Sequence, residues 1–137
     1  DKMVTKQTAR DHKFVYRDEC LEVFFHPERG DKYYQFMISP RGTITDQGCK
    51  PGGRGDRTYN AKVVAWAEID RVKKEWRLTA AFPIADMKET PVKKDEMWGF
   101  SVVRNHNGKN SEYTAWVDTD GNNHKTSLFG FLILRGE

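Results

Sequence analysis

The chain has 137 residues, with 23 Lys and Arg against 20 Asp and Glu and a net charge of +3, which is the size of one domain and too short for a catalytic unit with its own cofactor domain. Hydrophobic residues at 37% and charged residues at 31% fit a globular fold and exclude collagen, coiled coil and disorder. The two signs of charge are interspersed, so there is no phosphate-neutralising stripe and no nucleic-acid partner is expected; nor does any apolar run approach the roughly 20 residues of a membrane span.

In chain order, the opening residues Asp1-Lys2-Met3-Val4-Thr5-Lys6 do not form a signal peptide, so export would imply a leader already removed. The first clear element is Leu21-Glu22-Val23-Phe24-Phe25, a strand with Leu21, Val23 and Phe25 on one face and Cys20, Glu22 and Phe24 on the other. A turn at His26-Pro27-Glu28-Arg29-Gly30-Asp31 leads to a second strand, 33–39. It directs Tyr34, Phe36 and Ile38 to the core and Tyr33, Gln35 and Met37 to the opposite face. From Thr45 to Arg57 the wealth of Gly and turn formers predicts a long loop. Strands at 61–67 and 75–82 form a hairpin, Pro83 opens one helical turn over 83–87, and strands follow at 97–104, 113–117 and 128–134. So many short strands, with no repeat and no linker, predict an all-β fold. The expected form is an antiparallel β-sandwich of jelly-roll or immunoglobulin-like type, a single domain over 1–137 with long loops and at most one short helical turn.

Cys20 and Cys49 lack CxxC spacing and a second pair, which excludes a structural zinc site and a disulfide framework. Cys20, in an apolar run, reads as a buried free thiol, and Cys49, in a Gly/Pro-rich stretch, as an exposed one; a single bridge between them stays open. Asp18 and Glu22 share a strand face at the about 5–10 Å that a glycosidase's two carboxylates need. No Ser/His/Asp, Cys/His or HExxH arrangement accompanies them, so no catalytic residue is assigned. The run Asp118-Thr119-Asp120-Gly121-Asn122-Asn123 has the D-x-D-G-N look of a Ca2+ loop, with Asp118, Asp120 and Asn122 as candidate oxygen ligands. It lacks the distal bidentate glutamate and reads first as a turn.

Several segments occur in an order that resembles the carbohydrate-binding modules of family 9 (CBM9-like) and their wider DOMON-like relatives. They are Asp18-Glu19-Cys20-Leu21-Glu22-Val23-Phe24, Tyr34-Gln35-Phe36, Trp76 through Ala81-Phe82-Pro83-Ile84, Gly99-Phe100, Arg104, Trp116, and His124 with Phe129-Gly130. The resemblance covers nearly the whole chain and implies a noncatalytic carbohydrate-binding module. Such a module is secreted or periplasmic, appended to a carbohydrate-active enzyme, and takes a poly- or oligosaccharide as its partner. The chain starts where the family's N-terminal segment would end, which implies that a catalytic domain or a second chain completes the sandwich. Some members of the group bind structural calcium.

In sugar-binding members two tryptophans sandwich the sugar; those positions fall on Tyr16 and near His124 here. The sugar-gripping glutamate falls on Glu22, and a neighbouring arginine on Met37. Sugar recognition needs a ring face for C–H groups and planar amide, carboxylate or guanidinium groups for vicinal hydroxyls. Tyr16, Glu22, Gln35, Arg104, Asn105, Asn122 and His124 offer those groups, and Trp116 a wall of the site. Glu22 is equally expected to pair with Arg104 or another base on the sheet. A second reading follows from haem-binding DOMON-like relatives, since Met37 and His124 could serve as axial ligands. A third is a ligand-free interaction domain of a larger exported protein.

Overall fold

The computed structural model describes residues 3–52 and 55–135. They form eight strands, numbered in chain order: β1 (Cys20–His26), β2 (Tyr33–Ile38), β3 (Ile44–Cys49), β4 (Val64–Asp70), β5 (Glu75–Ala81), β6 (Glu96–His106), β7 (Glu112–Ala115) and β8 (Gly130–Leu134). A six-stranded antiparallel sheet runs β3-β2-β1-β6, and the far edge of β6 pairs with β7 along Val103–His106 and with β8 along Glu96–Phe100. The β4-β5 hairpin forms a second, two-stranded sheet. The expected all-β antiparallel sandwich is therefore what the chain forms, and no helix is long and apolar enough to cross a membrane among the described residues. Besides the expected turn, at Ile84–Asp86, three more short 3-10 turns occur at Val15–Arg17, Pro27–Arg29 and Thr126–Leu128.

Alternation in β1 and β2 divides the large sheet. Val23, Phe25, Phe36 and Ile38 pack with Ala61, Val63, Met87 and Trp98, and against Ala65, Leu78, Ala80 and Phe82 from the hairpin side. Phe25 is the hub of this layer, with ring centroids at 5.0 Å from Phe82, 5.3 Å from Phe100, 6.0 Å from Phe36 and 6.4 Å from Trp98. Such tilted and edge-on pairs each add about 0.5–1.5 kcal/mol beyond burial. In the hairpin, only one face is covered: Ala65, Leu78 and Ala80 turn inward while Val64, Trp66 and Thr79 stand in solvent, and β5, Glu-Trp-Arg-Leu-Thr-Ala-Ala, alternates accordingly where β1 does not.

Residues 45–49, expected as the start of a loop, belong to strand β3 (Ile44–Cys49). Thr45 and Asp46 are buried but satisfied by the N-terminal segment and by Ala61. Thr45 Oγ1 donates to His12 O at 3.1 Å, Asp46 accepts from Arg10 at 3.0 Å and from Ala61 N at 2.6 Å, and Arg10 also bonds Ala61 O at 2.8 Å. Cys49 ends this strand beside Tyr33, so both cysteines are buried free thiols and Cys49 is not the exposed one expected. Asp18 does not share a strand face with Glu22: β1 starts at Cys20, and Asp18 caps the preceding chain by accepting from Gln7 N at 2.7 Å.

Candidate functional site

The face of the large sheet turned away from the hairpin carries Cys20, Glu22, Phe24 and His26 from β1, Tyr33, Gln35 and Met37 from β2, Gln47 and Cys49 from β3, and Ser101, Val103 and Asn105 from β6. In register, Glu22 lies opposite Met37 and Val103, so its polar neighbours are diagonal ones, still within reach across a strand pair. Gln35 Nε2 donates to Glu22 Oε2 at 2.7 Å, Asn105 Nδ2 donates to Glu22 Oε1 at 2.5 Å, and Gln47 donates to the Gln35 carbonyl. The result is a row of amides across four strands that converges on one carboxylate. No Lys, Arg or His nitrogen pairs with Glu22 among the described residues.

Apolar and aromatic groups close both ends of this row. At one end Phe24, Tyr33, Cys49, Val103 and Phe129 cluster, and the loop between β7 and β8 lays His124 over them. Its ring is edge-on to Phe24 at 5.4 Å, and Nδ1 is 2.8 Å from Tyr33 Oη. At the other end Tyr16 packs on Val15, Cys20 and Met37, with the Arg17 guanidinium 5.6 Å from its ring. Partial burial against this cluster lowers the His124 pKa below the ordinary histidine value, opposed by the charge of Glu22. Burial and the nearby Glu22, Glu19 and Asp18 charges push the Cys20 thiol up, and burial does the same to Cys49. Neither thiol has the electropositive surroundings of a nucleophile.

The row is covered. Glu22, Gln35 and Asn105 are 6%, 3% and 1% exposed, so a ligand reaches them only by displacing the His124 loop or the segment carrying Tyr16. Asn105 Oδ1 is buried without a hydrogen-bond partner, although its own amide nitrogen is engaged. A buried orphan acceptor costs about 1–3 kcal/mol, and a donor brought by a ligand would remove that cost.

Of the residues expected at the site, Tyr16, Glu22, Gln35, Asn105 and His124 come together on this face. Arg104 does not: it is adjacent to Asn105 on β6 and so points to the other side. There Arg104 Nε donates to Glu19 Oε1 at 2.8 Å, beside Trp76 Nε1 at 3.1 Å and His106 Nδ1 at 2.5 Å from the same carboxylate. The expected Glu22–Arg104 pair is thus replaced by Glu19–Arg104. Burial opposes ionisation of Glu19, but its bonds from His106, Arg104 and Trp76 outweigh that and hold the carboxyl below the usual range. Trp116 also lies on the hairpin side: its N–H bonds Val102 O, its ring stands 5.7 Å from Phe100, and it is 60% exposed.

Asn122 stays at the loop surface, where its Oδ1 accepts from His124 N at 3.0 Å and so fixes the turn. The calcium-like run behaves in the same way. Asp118 Oδ1 accepts from Asp120 N at 2.8 Å and Asp120 Oδ2 pairs with Lys125 at 3.0 Å; no three His, Cys, Asp or Glu side chains converge on a metal-sized space among the described residues. Met37 and His124, the haem-ligand pair, sit at opposite ends of the row, Met37 packed on Val15 and Cys20 and His124 on Phe24 and Tyr33. Gln47 is a member that sequence reasoning missed, because its strand read as loop; Tyr33 was placed on this face by alternation but not included.

Comparison with protein-family models and with curated proteins found no match. Among solved structures, the chain is similar to a Bacteroides uniformis protein named "putative carbohydrate-binding protein", with a TM-score of 0.76 and 18% identity over 96% of this chain and 67% of that one. At that identity the likeness is one of fold.

Proposed function

We propose that this chain is a noncatalytic carbohydrate-binding module whose site is the Glu22, Gln35 and Asn105 row, flanked by Tyr16 and His124. The observation that carries this reading is the row itself. A carboxylate and planar amides lie side by side on a rigid strand face between aromatic end walls, the combination that grips vicinal hydroxyls while rings pack on C–H faces. The order of motifs resembles carbohydrate-binding modules of family 9, and the fold is shared with a protein whose name states carbohydrate binding. As a member of such a group the module would be secreted or periplasmic and tethered to a carbohydrate-active enzyme, where proximity matters more than tightness.

The test is native affinity gel electrophoresis against a polysaccharide panel, with calorimetry using mono- and oligosaccharides on each hit. Binding that free sugar competes away supports the reading, and Glu22→Ala is expected to weaken it at least tenfold with the circular dichroism spectrum retained. Unchanged affinity in the folded variant would place the site elsewhere, and silence across the panel would refute the function.

A further inference from the structure

We propose that the site prefers a sugar carrying a free primary amine, a hexosamine unit or its oligomers, over neutral and N-acetylated sugars. The inference rests on the carbohydrate-binding reading and names the ligand class for the same row. Three observations support it.

The first is charge. Among the buried carboxylates, Asp46 has Arg10, Glu19 has Arg104 and Glu96 has Lys88 within 3.0 Å, whereas among the described residues Glu22 accepts only from the neutral amides of Gln35 and Asn105. A buried ion without a counter-charge is strongly unfavourable unless something compensates it. Asp18 also lacks a cation, but it is capped by a backbone N–H ahead of the sheet and lies outside the row.

The second observation is the orphan acceptor: Asn105 Oδ1, in a side chain that is 1% exposed and bonded to Glu22 through its nitrogen, has no donor among the described residues. Asn105 Nδ2 turns its other hydrogen to Cys20 Sγ at 3.5 Å, so Glu22 and Asn105 together present oxygen acceptors at this point. An ammonium group brings three donors and no acceptor and matches that set; a hydroxyl brings one donor and turns its lone pairs toward oxygen; an acetamido group brings one donor and added bulk. The third is the wall above the row. His124 spends Nδ1 on Tyr33 Oη, 2.8 Å away, and not on Glu22, so that nitrogen does not oppose the negative charge of the row.

The experiment is titration calorimetry of the whole chain at pH 6 with glucosamine oligomers, N-acetylglucosamine oligomers and gluco-oligosaccharides of equal length, with ethanolamine as the amine-only arm. The free-amine sugar is expected to bind at least tenfold more tightly than either neutral series, and ethanolamine far more weakly than the sugar. The preference should fall below threefold in Glu22→Gln. In the wild type, which avoids any folding defect of the variant, it should also vanish between pH 6 and pH 9.5, because an amine flanked by electron-withdrawing carbons loses its proton near about pH 8. Equal affinity for amino and neutral sugars would overturn this inference and leave the carbohydrate reading intact; ethanolamine binding as well as the sugar would overturn it in favour of a plain amine site; failure of every sugar would overturn both.

Discussion

The Glu19 cluster allows a quantitative test of how a buried carboxylate at the edge of β1 is held. Glu19 is 1% exposed and Arg104, its partner at 2.8 Å, has a side chain 44% exposed. Arg104→Met therefore strands a buried charge that cannot reach water. Breaking a fully buried pair costs about 3–5 kcal/mol; here Trp76 and His106 still donate to the carboxylate, which reduces the expected cost to about 2–3 kcal/mol. Glu19→Met removes three accepted bonds but leaves Arg104 free to turn outward, for a similar loss. The double variant has no stranded ion, so it should cost less than the sum of the singles by about 1–3 kcal/mol. Urea unfolding at pH 7, followed by tryptophan fluorescence and circular dichroism, measures all four corners of the cycle. Additivity within about 0.5 kcal/mol would show that Glu19 and Arg104 are not coupled and would refute the reasoning.

Acid stability follows from a second carboxylate. Burial works against ionisation of Glu96, yet Lys88, the Lys93 backbone N–H and the Trp98 indole pull its pKa down to about 2 from 4.5. A depressed folded pKa gives stability that is complete above the unfolded value and is lost as pH falls from about 4.5 toward about 2; equilibrium unfolding as a function of pH should show that loss, with a shallower slope in Glu96→Gln. Phe25→Ala empties the centre of the aromatic layer and should cost about 3–5 kcal/mol; a loss under about 1 kcal/mol in chemical denaturation would mean that the layer is not packed as described. Gly99→Ala would set a Cβ 3.0 Å from that of His26 and 3.4 Å from that of Phe129, both buried and unable to yield freely. A cost of about 1–3 kcal/mol is expected, and a neutral melting temperature would argue against that close approach.

The strands with a strong apolar or alternating pattern could be read directly, because the pattern is itself the record of burial on one face or two. Strand β3 could not: Thr45, Asp46 and Gln47 look like loop residues until Arg10, His12 and Ala61 are known to satisfy two of them, and those partners are 15 to 36 residues away. The site was legible where alternation governs, as with Glu22, Gln35 and Tyr33. Alternation alone also excludes Arg104 from a face that holds Asn105, since neighbours on a strand cannot share one. The pairing of Glu19 rather than Glu22 with Arg104 depends on which face meets the hairpin, and that is a property of the assembled layers.

Strands β7 and β8 run in the same direction along one edge of β6, with Trp116 bonded at Val102 and Gly130 opposite Phe100. They amount to a single strand interrupted by the loop that bears His124. Both ends of that loop are pinned to one rigid partner two residues apart, about 7 Å, and closure of a longer or shorter excursion changes the free energy only logarithmically with length. Residues 117–128 can therefore be exchanged or extended with little disturbance to the sheet, which makes this the position where a library of grafted loops would retune what the face accepts.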